Sequence, residues 1–196
     1  MRSLLLTGFG PFPGVTENPS GALAELLAAE PPAGVSVAST VLPVTFADSP
    51  GALGAFVEAH AEPRPWLLLS MGVHPGEGFR LERHARARPT SEKPDEAGGS
   101  GLAGGLVGAD RARSTDLDLE HLAAGLVEVA AGSGGVRVSE DAGGYVCDWT
   151  YQHLLQHGER LGVPALFLHV PPLDHVPLDE QRRVVERLLA LLAATT

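Results

Sequence analysis

The stretch VCDWTYQHLLQHGERLGVPALFLHVP, residues 146–171, decides how this chain folds. It reads as a helix over 146–162, closed by Gly162, followed by a buried strand over 163–171. A strand that is apolar on both faces belongs in a sheet covered by helices on both sides. The same alternation extends outward. Residues 3–8, SLLLTG, form a short apolar strand stopped by glycine, and a helix follows with Ser20 as its expected N-cap. Residues 34–44 alternate as a strand, and 49–61 form a helix with Pro50 in its tolerated first turn. Residues 65–72, PWLLLSMG, are a second buried strand. A long segment of charge, glycine and proline follows, with a short strand expected near 79–86. The chain ends as helix 115–132 (Thr115 as N-cap), strand 135–141, the quoted unit, and an amphipathic helix over 178–195. Strands alternating with helices predict an α/β three-layer domain with a mostly parallel sheet. At 196 residues the whole chain, 1–196, reads as one domain.

In such folds ligands gather at the carboxyl ends of the strands. The chemically informative segments all fall there: Phe9–Phe12, Met71–Glu82, Asp141–Cys147 and His169–Asp174. Composition narrows the classes of function. The formal net charge is −10, which argues against a nucleic-acid or anionic-membrane surface. One cysteine rules out an internal disulfide and a cysteine-based zinc site. The N-terminal apolar run is too short for a signal sequence, and no stretch approaches a membrane span, so a cytoplasmic protein is expected. His153 and His157 share a helix face, but the glutamate of an HExxH motif is missing, so no metal is expected. The glycines at 98–108 match neither a P-loop nor a dinucleotide fingerprint, so no cofactor is expected.

Cys147 sits at the start of a helix. The helix dipole and free N–H groups there are expected to lower a thiol pKa and to hold an oxyanion. The bland alternative is a small buried hydrophobe. His169 ends a strand at the mouth of the sheet and could act as its general base. Glu82 could orient that histidine, with Asp141, Asp148 and Asp174 competing for the role on spacing alone.

These segments together resemble the pyroglutamyl peptidase I family, also called pyrrolidone-carboxylate peptidases. The resemblance rests on Thr7-Gly8-Phe9, Pro11-Phe12 and Asn18-Pro19-Ser20, on VSEDAGGYVCDWTYQHLL around Cys147, on ALFLHVPPL around His169, and on GFRLERHA around Glu82. It implies a mixed, twisted α/β/α sheet of the phosphorylase/hydrolase-like type. It also implies Cys147 as nucleophile, His169 as general base and acid, Glu82 as the histidine's orienter, and Phe9 and Phe12 as walls gripping a flat pyrrolidone ring. Peptides with N-terminal pyroglutamate are the implied partners, acted on through a thioester, and a homotetramer is the implied assembly. Gly144 stands where the family usually carries an arginine, and Arg88 and Lys93 are candidates for a basic residue that helps the site. The alternatives are a non-catalytic relative that binds lactam or pyroglutamyl ligands, and another amidohydrolase on the same scaffold.

Overall fold

A computed structural model describes residues 1–102, 106 and 108–195. Its elements run β1 (Arg2–Phe9), α1 (Pro19–Ala29), β2 (Val35–Leu42), α2 (Ser49–Ala59), β3 (Leu67–Val73), β4 (Phe79–Glu82), β5 (His84–Ala85), β6 (Arg113–Ser114), α3 (Leu119–Ala130), β7 (Val136–Ser139), α4 (Val146–Leu161), β8 (Ala165–Val170) and α5 (Leu178–Thr195). Six strands make one sheet in the order β2–β1–β3–β8–β4–β7, and β5 pairs separately with β6. The first four strands of that order are mutually parallel, while β4 runs antiparallel to β8 and parallel to β7. The sheet is therefore mixed and mostly parallel, in an α/β fold of three layers.

Alternation along each strand sorts side chains onto two faces. Leu4, Leu6, Leu69, Met71, Leu81, Leu166 and Leu168 face α1, α3 and α5 in one apolar core. Leu5, Phe9, Leu68 and Phe167 face α2 and α4 in the other. The polar groups of β3, β8, β4 and β7 fall on this second face, toward the carboxyl end of β8.

Two glycines let β1 and α1 approach backbone to backbone. A Cβ on Gly8 would collide with the Ser20 carbonyl, and one on Gly21 would lie 2.6 Å from the Phe9 carbonyl oxygen. The corner is pinned by side chains as well. Asn18, not Ser20, caps α1: its Oδ1 accepts from the Ser20 N–H at 3.1 Å, and Pro19 opens the helix. Proline suits that first position because its missing N–H would have had no helical partner. Ser20 serves another purpose, accepting the Phe9 N–H at 3.0 Å, while Asn18 Nδ2 donates to the Gly10 carbonyl at 2.9 Å.

The expected cap of α3 is also displaced. Asp118 caps it, accepting from His121 N–H at 2.9 Å. Thr115 instead donates to the Ala165 carbonyl at 2.8 Å and ties the segment to β8. The long segment after β5 folds back as an arm. Asp95 holds its turn, accepting from the N–H groups of Phe46, Ala97 and Gly99. The glycine-rich stretch 98–108 noted in the sequence includes 103–105 and 107, which lie outside the described residues.

Candidate active site

The site forms where β3 and β8 end and α4 begins. His169 is buried, and its Nδ1 lies 2.7 Å from Oε1 of the fully buried Glu82. A carboxylate only accepts, so Nδ1 carries the hydrogen and Nε2 is left for a second partner. The bond joins residues on antiparallel neighbours, β4 and β8, on the same sheet face. Tyr151, buried inside α4, donates its hydroxyl to the Glu82 carbonyl at 2.9 Å and fixes that strand. The three competing aspartates do other work. Asp148 accepts the backbone N–H of Gly144 and of Arg86 and pairs with the Arg86 guanidinium. Asp141 accepts from Arg86 at 2.7 Å and from the Gly143 N–H at 2.7 Å. Asp174 lines a neighbouring cleft.

Cys147 is the second residue of α4, with Tyr145 at the N-cap. The thiol lies above Gly72, the register partner of His169. A Cβ on Gly72 would sit 2.9 Å from Cys147 Sγ and 2.9 Å from the Phe167 ring, so glycine there makes room for the sulfur. The expectation of a lowered thiol pKa is overturned for this resting site. Burial, then the carboxylates of Asp148 and Glu82, push the thiol up to about 12, against the pull of its own backbone N–H. Loss of water and two negative charges outweigh the positive end of one helix.

A cleft of about 300 Å³ opens over these groups. Phe9, Phe12, Tyr145, Cys147 and His169 line it together, and Glu82 stands behind His169. Phe9 is 2% exposed and packs against Phe167 with ring centroids 6.5 Å apart. Of the two basic candidates, Lys93 lines the cleft, its Nζ lying 5.5 Å from the centroid of Phe12 and 5.4 Å from that of Tyr145. Arg88 is absent from the cleft lining and packs near Gly108. The arm holds the cleft's outer wall: Thr90 and Ser91 both donate to the Gly144 carbonyl, and Tyr145 Oη donates to Pro94 O at 3.0 Å.

His74 and Arg80 are cleft residues that sequence reasoning missed. His74 Nε2 donates to the Gly78 carbonyl at 2.9 Å and Nδ1 accepts the Gly76 N–H at 3.0 Å. Both nitrogens are used, and burial pushes its pKa down to about 4, so it serves as the neutral brace of the 74–78 loop. Arg80 shares strand parity with Glu82, and that parity was a usable signal for its orientation. Among the described residues, no group of histidine, cysteine, aspartate and glutamate is placed to hold a metal ion. None of their helices is long and apolar enough to cross a membrane.

Comparison with known proteins fixes the lineage. The family profile of the pyroglutamyl peptidases matches residues 2–189. The chain belongs to the pyroglutamyl peptidase family. Within it, the pyrrolidone-carboxylate peptidase of Streptomyces coelicolor is 34% identical over 205 aligned positions, covering 99% of this chain and 92% of that relative. The corresponding protein of Gloeobacter violaceus is 34% identical over 173 positions, covering 87% and 82%. The crystal structure of pyrrolidone carboxyl peptidase from Fervidobacterium islandicum AW-1 superposes with a TM-score of 0.84 at 26% identity, covering 99% of each chain. Membership in the pyroglutamyl peptidase family makes the chain a cysteine-type peptidase, and Cys147 is its single cysteine.

Proposed function

We propose that this protein removes N-terminal pyroglutamate from peptides, with Cys147 as nucleophile, His169 as general base and acid, and Glu82 as the histidine's orienter. The observation that carries the reading is the cleft itself. It joins the chain's single thiol to a histidine whose other nitrogen is already bonded to a buried carboxylate, beside two phenylalanines. Phe9 and Phe12 bury the two apolar faces of the five-membered lactam, leaving its amide edge to backbone groups. A pyroglutamyl end carries no ammonium, so the site needs no acidic anchor. Asp141, the one carboxylate lining the cleft among the described residues, is engaged by Arg86.

The thiol's raised pKa sets the order of events. Cys147 rests as a thiol and loses its proton to His169 Nε2 as sulfur attacks the scissile carbonyl. The N–H groups of Val146, Cys147 and Asp148 precede the first helical bond of α4, Trp149 N–H to Tyr145 O, and are available to the oxyanion. His169 then gives the proton to the leaving amine. Water, activated by the same imidazole, hydrolyses the thioester and releases pyroglutamate. Glu82 keeps Nε2 aimed at sulfur throughout. By the same resemblance the protein works in the cytoplasm as a homotetramer.

The test is release of a fluorescent amine from a pyroglutamyl amide under reducing conditions, with wild type and Cys147→Ser side by side. Turnover by the wild type and none by the variant is expected. Turnover that survives in Cys147→Ser removes the cysteine from the mechanism. A folded wild type that binds the amide without turnover points to the lactam-binding alternative.

A further inference from the structure

Four strands place four residues in one row across the cleft face of the sheet. Gly72 on β3 is the register partner of His169 on β8, His169 of Arg80 on β4, and Arg80 of Arg137 on β7. All four project to the same face, because their neighbours Met71, Leu168, Leu81 and Val138 pack into the opposite core. Phe9, on β1, lies at the other end of this row. Read outward from Phe9, the order is ring wall, thiol above Gly72, histidine, arginine, arginine. Neighbouring strands are about 4.8 Å apart, so the two arginines stand roughly 5 and 10 Å beyond His169 in the strand-to-strand direction.

Neither arginine has an ion-pair partner among the described residues, whereas Arg86 is paired with both Asp141 and Asp148. Arg80 lines the cleft, and its Nε is buried with no hydrogen-bond partner. The nearby acids are engaged elsewhere in part: Asp141 with Arg86 and Gly143 N–H, and Glu82 through Oε1 with His169, its buried Oε2 having no hydrogen-bond partner among the described residues. Burial and then the neighbouring Arg137 hold the Arg80 pKa below its ordinary value, and the more distant charges of Glu82 and Asp141 offset this only in part. In a chain of net charge −10 this is a local concentration of the opposite sign, with Arg80 lining the cleft of the reacting groups and Arg137 beside it on the next strand.

We infer that Arg80 and Arg137 form the subsite for the leaving part of the substrate and select a carboxylate on the residue that follows pyroglutamate. This deepens the peptidase reading and rests on it. The direction follows from the chemistry. A pyroglutamyl ring between Phe9 and Phe12 puts its carbonyl over Cys147, and the departing amine must lie at His169, which protonates it. The rest of the leaving residue then extends toward β4 and β7. A guanidinium matches a carboxylate in a two-pronged, charge-assisted geometry. That carboxylate is either the side chain of an acidic residue or the α-carboxylate of a free pyroglutamyl dipeptide.

The experiment compares kcat/KM for three substrates of nearly one shape. Pyroglutamyl-glutamate amide against pyroglutamyl-glutamine amide reads the side-chain carboxylate. Pyroglutamyl-glutamine with a free carboxyl end against its amide reads the α-carboxylate. At low ionic strength the wild type is expected to favour at least one charged member by about tenfold, the scale of a charge-assisted hydrogen bond that is partly open to water. The preference should appear in KM, shrink as salt is added, fall toward one in Arg80→Gln, survive in part in Arg80→Lys, and weaken in Arg137→Gln. Arg137 is exposed on an edge strand, so its variant reads out even where Arg80→Gln folds poorly. A wild type that cleaves charged and neutral substrates equally overturns the subsite and leaves the peptidase reading standing. So does a preference that persists in both glutamine variants. A wild type that cleaves no pyroglutamyl amide overturns both.

Discussion

The two faces of the central sheet are built from the same strands and do opposite things. Toward α1, α3 and α5, residues 69, 71, 81, 166, 168 and 170 supply Leu, Met and Val with no interruption. One residue further along each strand, toward α2 and α4, the same ladder carries Ser70, Gly72, Arg80, Glu82 and His169. A shift of one residue in register would exchange the two sets. The apolar face therefore fixes the register, and the register alone delivers Glu82 to His169 across 87 residues of sequence. Stability and chemistry share one set of hydrogen bonds while resting on different side chains, so they can be broken separately.

The largest separation comes from a pair of variants on β4 and β8. Glu82→Gln keeps the shape and removes the charge that holds the His169 Nδ1 hydrogen. We expect kcat to fall by about 10²–10⁴ with little change in unfolding midpoint, the scale seen when a histidine loses its orienting carboxylate. Leu168→Ala removes a fully buried side chain from the opposite face. It should lower unfolding free energy by about 2–5 kcal/mol while the folded fraction keeps most of its kcat. Urea unfolding and active-site-normalised kinetics on both variants check this. Similar losses of kcat in the two would mean that the faces are coupled.

A second prediction sharpens the contrast between sequence and environment at Cys147. A helix start by itself lowers a thiol pKa, but this one is pushed up to about 12 by burial and by Asp148 and Glu82. The folded thiol therefore binds its proton more tightly than an exposed one. Alkylation by a small uncharged reagent should rise roughly tenfold per pH unit between about pH 7 and 9 without levelling off, because only the thiolate reacts. Asp148→Asn should accelerate it at fixed pH by removing one of the opposing charges. A rate that levels off below pH 7 would mean a standing thiolate and would reverse the order of proton transfer and attack.

What the sequence made legible follows from range. Alternating apolar runs placed the strands and helices, and Cys147, His169 and the Phe9–Phe12 pair were visible as polar or aromatic exceptions at strand and helix ends. Four acids competed as partners of His169, because the choice depends on β4 entering antiparallel beside β8, a contact no local pattern encodes. The caps at Asn18 and Asp118 were mistaken by two or three residues because serine and threonine are also good caps. Ser20 and Thr115 had tertiary partners that the sequence does not announce. The thiol's environment was invisible for the same reason: Glu82 approaches it from a strand 65 residues earlier in the chain.

The smallest effect we predict lies in the loop before the cysteine, where two adjacent glycines differ only in what surrounds them. Gly143 and Gly144 both have positive φ, +94° and +67°. A Cβ on Gly143 meets nothing within 4 Å, whereas one on Gly144 collides with the Thr90 hydroxyl. Both alanine variants incur the left-handed strain of about 1–2 kcal/mol. Only Gly144→Ala should also displace Thr90 and with it the two N–H bonds that tie the arm to the Gly144 carbonyl. Ser91 and Lys93 of that arm line the cleft, so Gly144→Ala is expected to raise KM severalfold where Gly143→Ala does not. The same collision argues that an arginine, the residue usual in the family at this position, fits here only if Thr90 moves. Equal KM values for the two alanine variants would mean that the arm does not shape the cleft.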